Sequence, residues 1–528
     1  MKRIIASLLL VVVLLTGVIG SLSSCDWIPG NKKPAADFVM PEGGYDGSEI
    51  TIKFYHTMGA ALTSILTDAI ASFNELYPNI TVEHQSYGNY DALLSQINTE
   101  ITVGNQPSLA YCYPDHVATY TVAGAVQALD ELVNSTIVEE RADGTTETIG
   151  YSAEQRADFI EAYWNEGLSY GDGKMYSIAL AKSTEVLYYN KTFFDNCLET
   201  YNREFELNAD GTTKLDEQGN PVRNPNYKNE NYNISVPTTW DEMEEVCRKI
   251  KAIEPGCIPL GYDSEANWFI TMCEQYNSPY TSATGDNFLF NNDTNRNFVK
   301  KFRQWYQERL VTTQELSGGY TSNLFTGNSS NATEGSEASK GTRCYMCIGS
   351  TGGATYQRPG NVNGVYDFQV GIAPIPQVDV NNPQVISQGP SLCVFKKDNP
   401  QEVLASWLFA KFLTTNIEYQ ARVSENNGYV PVMKSVQSDP TYMEFLAALD
   451  ADGKENLTKN ITAYAVRVAI EQAENCYTSP AFDGSSVARI QVGFLIQKCF
   501  TAEGSDVDAL IKKAFDDCVR ECNYQIGK

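Results

Sequence analysis

Apolar and polar residues alternate at a period of two from Ile50 to Tyr55. Ile50, Ile52 and Phe54 share one face and Thr51, Lys53 and Tyr55 the other, which predicts a strand with one side buried. The period then changes. Leu62, Ile65, Leu66, Ala69, Ile70, Phe73 and Leu76 recur at helical spacing, and Pro78 stops the helix. Ile80 to His84 reads as a second strand, and Tyr90 to Val103 as a second helix through Leu93, Leu94, Ile97 and Ile101. The turn Gly104-Asn105-Gln106-Pro107 then leads into a buried run, Leu109 to Tyr113. Strands alternating with helices of this length predict a parallel sheet with helices on both faces.

The remainder keeps this α/β rhythm with more helix. Thr239-Trp240-Asp241-Glu242 is a capping box that opens a helix through Met243, Val246, Cys247 and Ile250. Asn297 to Leu310 buries Phe298, Phe302, Trp305 and Tyr306, and Asn399-Pro400 starts a helix with Val403, Leu404, Trp407, Leu408 and Phe412 inward. Val507 to Cys522 repeats the pattern. Three segments read as surface embellishments: 138–150, 199–233, whose turns predict an exposed hairpin, and the Ser-, Gly- and Asn-rich 317–341.

The N-terminus has a different logic. Lys2 and Arg3 precede an almost unbroken apolar run from Ile4 to Ile19, a secretory signal layout too short for a comfortable membrane span. Leu22-Ser23-Ser24-Cys25 resembles the lipobox of bacterial lipoproteins, which implies removal of residues 1–24 and a lipid on Cys25. Residues 25–48 are rich in Pro and Gly without periodicity and read as a flexible, lipid-anchored tether. The chain is then expected on the outer face of the cell membrane, held by lipid alone.

A formal charge of −26 on 528 residues excludes a nucleic-acid partner and requires any anionic ligand to find a local basic site. The 13 cysteines are scattered, several on apolar helix positions, which reads as free thiols acting as small hydrophobes. Cys344-x-x-Cys347 has redox or zinc spacing, but no second pair or histidine accompanies it. No Walker loop, GxSxG, HExxH or Rossmann glycine fingerprint occurs, and the three histidines do not suit a triad. Composition leaves a glycosidase carboxylate pair open.

Five short segments stand in a telling order: Phe73-Asn74-Glu75-Leu76-Tyr77-Pro78, Gly104-Asn105-Gln106-Pro107-Ser108, Leu187-Tyr188-Tyr189-Asn190-Lys191, Val236-Pro237-Thr238-Thr239-Trp240-Asp241 and Asn427-Gly428-Tyr429-Val430-Pro431. Together they resemble the extracellular solute-binding protein family 1 of ABC importers, over roughly residues 49–528. Within it, Phe54-Tyr55-His56-Thr57-Met58, Tyr87-Gly88-Asn89-Tyr90 and Ser183-Thr184-Glu185-Val186 resemble the binding proteins for sn-glycerol-3-phosphate and its diesters.

The resemblance implies a two-lobed, type II periplasmic-binding-protein fold, each lobe a mostly parallel sheet flanked by helices, with a hinge between. The N-lobe is expected over 49–182 and 348–395, the C-lobe over 183–347 and 396–528. It also implies a ligand set. Tyr90 would bond a hydroxyl or phosphate, Asp115 would orient hydroxyls, and Ser183 would donate from the hinge. Trp268 would floor the site, Ser350 and Gly389 would cradle the ligand, Tyr429 would bond from the far lobe and Arg489 would supply positive charge. Read from the residues alone, Tyr90 equally opens a helix, Trp268 equally fills a core, Ser350 equally makes a tight turn, and Arg489 equally pairs with a carboxylate.

The implied function is non-enzymatic, cofactor-free capture of a polyol phosphate or carbohydrate by a monomer, for delivery to ABC permease subunits. The phosphate is favoured by the subgroup likeness, with a neutral oligosaccharide as the main alternative and a lipid-anchored glycoside-active enzyme as a remote one.

Overall fold

The computed structural model of the chain describes residues 37–197, 204–225, 233–330, 332–451 and 456–528; Cys25 and the signal segment lie outside them. Two five-stranded sheets organise the described residues. The first orders Ile80–Ser86, Ile50–His56, Leu109–Cys112, Ser391–Val394 and Ile178–Ala179. The second orders Val311–Thr313, Leu260–Tyr262, Met346–Ser350, Glu185–Asn190 and Val370–Pro374.

Each sheet contains a single reversed strand. Ser391–Val394 runs antiparallel to both its neighbours in the first sheet, and Glu185–Asn190 does so in the second. Each is the first strand its lobe receives after the chain crosses from the other lobe, so it enters at the end where its neighbours leave. The other four strands of each sheet share one direction. Their carboxyl ends therefore face the space between the lobes, where open α/β sheets bind ligands.

Local sequence accounts for the elements. Ile52 and Phe54 are fully buried while Thr51 and Lys53 are exposed, as the alternation requires. The helix Tyr90–Val103 starts at Asn89, whose side chain accepts from the Ala92 N–H, and stops at Gly104 with φ 67°. The capping box of Thr239 and Glu242 is formed in both directions. The helix read from Asn297 begins earlier, at Asp293, because Asn292 caps it by accepting from the Asn295 N–H.

Several boundaries differ from the sequence reading. Within 348–395, residues 348–350 of the strand Met346–Ser350, and Val370–Pro374, ladder with Glu185–Asn190 in the second sheet, and only Ser391–Val394 joins the first. Within 396–528, the helices Pro400–Thr415 and Ile417–Asn427 pack into the first lobe, their Leu404, Trp407 and Phe409 sharing a core with Ile52 and Phe54. The chain joins the second lobe again with the helix Ile461–Gln472, whose Ile461 and Ala465 pack against Val186, Tyr188 and Val370. Two alike sheets present alike apolar faces, so periodicity finds a strand without saying which sheet it joins.

The tether reading also needs correction over 37–48. Phe38 is buried in the first-lobe core, Lys396 Nζ stands 2.8 Å from Asp37, and the Tyr45 N–H donates to Glu139 Oε1 at 2.5 Å. Segment 138–150 is likewise tied down: Lys411 Nζ donates to Glu147 Oε1 and to the Thr148 and Gly150 carbonyls. Segment 204–225 is an exposed three-stretch meander, with 206, 214 and 222 bonded in register.

Candidate ligand-binding cleft

Two adjoining cavities, about 930 and 240 Å³, lie at the carboxyl ends of the strands and share Tyr113, Ser264, Asn267, Gln388 and Gly389 in their walls. Tyr113 follows Leu109–Cys112, Asp263 follows Leu260–Tyr262, and Ser350 ends its own strand. Both lobes contribute to each cavity.

Six of the eight residues named from sequence meet here. Ser183, Ser350, Gly389 and Tyr429 line the larger cavity; Asp115, Arg489 and again Gly389 line the smaller. Ser350 Oγ donates to Ser183 Oγ at 3.2 Å and accepts from the Gly352 N–H. Gly389 adopts φ 93°, and a Cβ there would stand 2.4 Å from the Ala181 carbonyl oxygen, so only glycine lets the two crossing segments touch. Tyr429 lies against Gly352, where an added Cβ would come within 2.7 Å of its ring. Burial pushes its hydroxyl pKa up to about 12, which keeps it a neutral donor.

Tyr90 stands one layer back. Its ring stacks on Tyr113 with centroids 4.1 Å apart, so it positions a wall residue. Trp268 is not a platform. It is 1% exposed, sandwiched between Tyr262 and Phe302 at 5.0 and 4.4 Å between centroids, in the second-lobe core. It sits on the inward face of the helix Glu265–Gln275, while Asn267, one residue earlier, reaches the cleft.

Arg489, from the helix Ser485–Thr501, extends Nε to 3.3 Å from Asp115 Oδ2 and donates to Asn267 Oδ1 at 2.6 Å. Burial opposes its charge, but the Asp115 carboxylate holds its pKa above the ordinary arginine value. Asn267 in turn donates to Glu185 Oε1, and Tyr262 to Glu185 Oε2. Burial raises the Glu185 carboxyl to about 7, against the lowering effect of those two donors. Asp263 is also raised by burial and accepts from the Thr321 N–H and hydroxyl, each at 2.7 Å.

A second ionic knot sits where the crossings meet. Lys182 Nζ stands 2.7 Å from Glu166 Oε1, both nearly inaccessible, and also donates to the Gly389 carbonyl. Glu166 accepts further from Ser391, Ser387 and Thr478.

Sequence reasoning missed Tyr113, Glu185, Asp263, Asn267, Gln357 and Gln388. The rule that ligands sit beyond strand carboxyl ends would have found Tyr113 and Asp263. Segment 317–341, read as embellishment, is a wall of the larger cavity through Tyr320, Asn323 and Thr326 among others. Gln357 Oε1 and Gln388 Oε1, both at that cavity, are buried and accept no hydrogen bond among the described residues. The described cysteines are all free, and all but Cys476 are buried.

Comparison with known proteins gives a consistent picture. The model of the bacterial extracellular solute-binding proteins matches residues 68–447. The sn-glycerol-3-phosphate-binding periplasmic protein UgpB of Rhizobium meliloti is 24% identical over 393 residues, covering 72% of this chain and 75% of that protein. UgpB of Mycobacterium tuberculosis, solved with glycerophosphocholine, superposes with a TM-score of 0.62 at 16% identity, covering 90% of this chain and 99% of its own. The cyclic α-maltosyl-1,6-maltose binding protein of Arthrobacter globiformis gives 0.61 at 14% identity, covering 90% and 98%.

Proposed function

Because the chain belongs to the bacterial extracellular solute-binding proteins, the solute receptors of ABC sugar and polyol importers, we propose that its solute is a neutral carbohydrate. The charge of the cleft carries this reading. Arg489, the cation best placed for an anionic ligand, is already matched by Asp115, and Lys182 by Glu166. The larger cavity holds Arg358 against two carboxyl groups, Glu185 and Asp263. Arg358 itself donates to the Thr458 and Lys459 carbonyls. A phosphate entering this cleft would find Arg489 and Lys182 already paired with carboxylates and would face the buried carboxyls of Glu185 and Asp263 at low dielectric.

The uncommitted groups call for a hydroxylated ligand. Gln388 Oε1 and Gln357 Oε1 accept, so they call for donors. Sugar hydroxyls donate, as do the glycerol hydroxyls of a glycerol phosphate. Satisfying a buried acceptor contributes about 1–3 kcal/mol relative to leaving it bare.

Glycerol-3-phosphate or a glycerophosphodiester is the second reading, supported by the relatives named for that ligand and by Arg489 at the cleft. Catalysis is disfavoured, because both oxygens of Glu185 and of Asp263 are engaged by protein donors. We further assign Cys25 as the lipid anchor, on its Leu-Ser-Ser-Cys context. The partners are ABC permease subunits at the outer face of the membrane.

The test is thermal unfolding of the chain from residue 37 with neutral oligosaccharides, glycerol-3-phosphate and glycerophosphocholine. A ligand at a hundred times its Kd stabilises by about 2.7 kcal/mol. A shift with a neutral sugar, and none with either phosphate, is the expected result. A phosphate-dependent shift lost in Arg489→Ala would overturn the neutral reading and leave the transport role intact.

A further inference from the structure

We infer that Asn267 is a positioning residue for the meeting of the two lobes: its amide, held one way round by Glu185, keeps the Arg489 guanidinium turned toward Asp115 of the other lobe. This arrangement is independent of which solute the cleft takes.

Asn267 is buried in the first turn of the helix Glu265–Gln275, where its backbone N–H donates to the capping Ser264 hydroxyl. Its side chain is bonded at both ends. Nδ2 donates to Glu185 Oε1 at 3.2 Å, and Oδ1 accepts from Arg489 Nη1 at 2.6 Å. Turning the amide over would set its NH2 against the guanidinium and its oxygen against the Glu185 oxygen, so the two partners fix its orientation. Glu185 is itself held. It is buried, begins the strand Glu185–Asn190, and takes the Tyr262 hydroxyl on Oε2. Tyr262 is fully buried and stacks on Trp268 with centroids 5.0 Å apart. A line of contacts thus runs from the second-lobe core through Tyr262, Glu185 and Asn267 to Arg489.

Arg489 needs that hold. Its side chain is 35% exposed, and an arginine stem has the rotamer freedom to leave a partner. Two buried acceptors in the walls of the same smaller cavity, Gln388 Oε1 and Tyr280 Oη, have no hydrogen-bond partner among the described residues and compete for it. Nη1 grips Asn267 on its own lobe while Nε faces Asp115 on the other, so one planar group joins an anchor to a carboxylate across the cleft. Gly493, one turn further along the Arg489 helix, brings the stem over Asn267: an added Cβ there would lie 3.9 Å from Ala266, the residue before Asn267. Asp115 is steadied as well, because its Oδ1 accepts from the His116 N–H in the first turn of Pro114–Val122.

The experiment is small-angle scattering of the ligand-free chain from residue 37. Asn267→Leu, which keeps the volume and loses both bonds, should raise the radius of gyration as Asp115→Asn does, by shifting the open-to-closed ratio up to about fivefold. Asn267→Ser, too short to reach both partners, should do the same and serves if the leucine variant does not fold. Asn267→Leu combined with Asp115→Asn should raise the radius no further than either alone, because both remove one contact. Glu185→Gln keeps an oxygen for the Asn267 amide and should scatter as the wild type does. High salt should open the wild type and leave the Asn267 variants unchanged, a response that a merely structural role would not move. Wild-type scattering from the folded Asn267 variants, or increments that add in the double variant, overturns the positioning role. A radius in Glu185→Gln as large as in Asn267→Leu overturns the orienting part of Glu185. Neither result touches the carbohydrate reading, which thermal unfolding with sugars tests separately.

Discussion

Arg489 and Asp115 sit on different lobes, and the guanidinium Nε of one stands 3.3 Å from the carboxylate of the other. The helix Pro114–Val122 carries Asp115 and the helix Ser485–Thr501 carries Arg489. A second contact, Thr119 Oγ1 to Ser486 Oγ at 3.5 Å, joins the same two helices. Two residues that the resemblance assigns separately to the ligand are thus spent on each other across the cleft.

That pair should bias the lobes toward each other. A partly exposed ion pair contributes about 0–1 kcal/mol, enough to change a two-state population up to about fivefold. Asp115→Asn and Arg489→Gln should each raise the radius of gyration of ligand-free protein in small-angle scattering. High salt should do the same to the wild type and not to the variants. Identical scattering from all three would show that the pair does not hold the lobes.

Lys182→Met should be among the costliest substitutions. It strands Glu166 without its cation at the junction of the crossings, and losing one partner of a buried pair costs about 3–5 kcal/mol. Urea unfolding measures it. Adding Glu166→Leu to Lys182→Met should recover most of the loss, because the penalty lies in the unpaired charge.

Trp268→Ala should lower stability by about 3–5 kcal/mol by opening a cavity in the second-lobe core. Ligand affinity of the folded fraction should be unchanged, since the ring does not reach the cleft. A selective loss of affinity at unchanged stability would restore it as a binding platform.

Gly389→Ala should cost about 2 kcal/mol or more, from the left-handed backbone alone and then from the Ala181 carbonyl in the way. The melting temperature reports the loss directly. A melting point equal to that of the wild type would mean the crossing segments separate freely.

Glu185 gives a pH signature. Its carboxyl is raised to about 7 in the fold, so between about pH 4.5 and 7 the native state binds more protons than the unfolded chain. Its contribution to stability therefore falls as pH rises through that window. His56, lowered to about 4 by burial and the neighbouring His84, acts oppositely: the unfolded chain binds more protons between about pH 4 and 6.5, and stability rises with pH there. Glu185→Gln should make stability rise more steeply with pH than in the wild type. His56→Gln should flatten or invert the slope. Parallel pH profiles for the three proteins would contradict both assignments.

The strands and helices of the first lobe were legible because each has one buried face, and a buried face writes its period into the chain. Ile52 and Phe54 are read correctly for that reason, as are the caps at Asn399 and Thr239, whose hydrogen bonds are local. The family order of short motifs carried Ser183, Ser350, Gly389 and Tyr429 to the cleft wall. Trp268 failed because its helix is buried on nearly every side, so its sequence does not mark which face meets the cleft and which the core.

By itself, then, the sequence determined the elements, the α/β class, the family and most of the crossing-segment residues, since these depend on neighbours within a turn or a strand. Tertiary structure alone decided which sheet Met346–Ser350 joins, that Asp115 neutralises Arg489, and that 317–341 walls the cleft instead of decorating the surface. Those relations join residues far apart along the chain. They rest on how two similar sheets face each other, and charge compensation between their facing ends leaves no periodic trace along the chain.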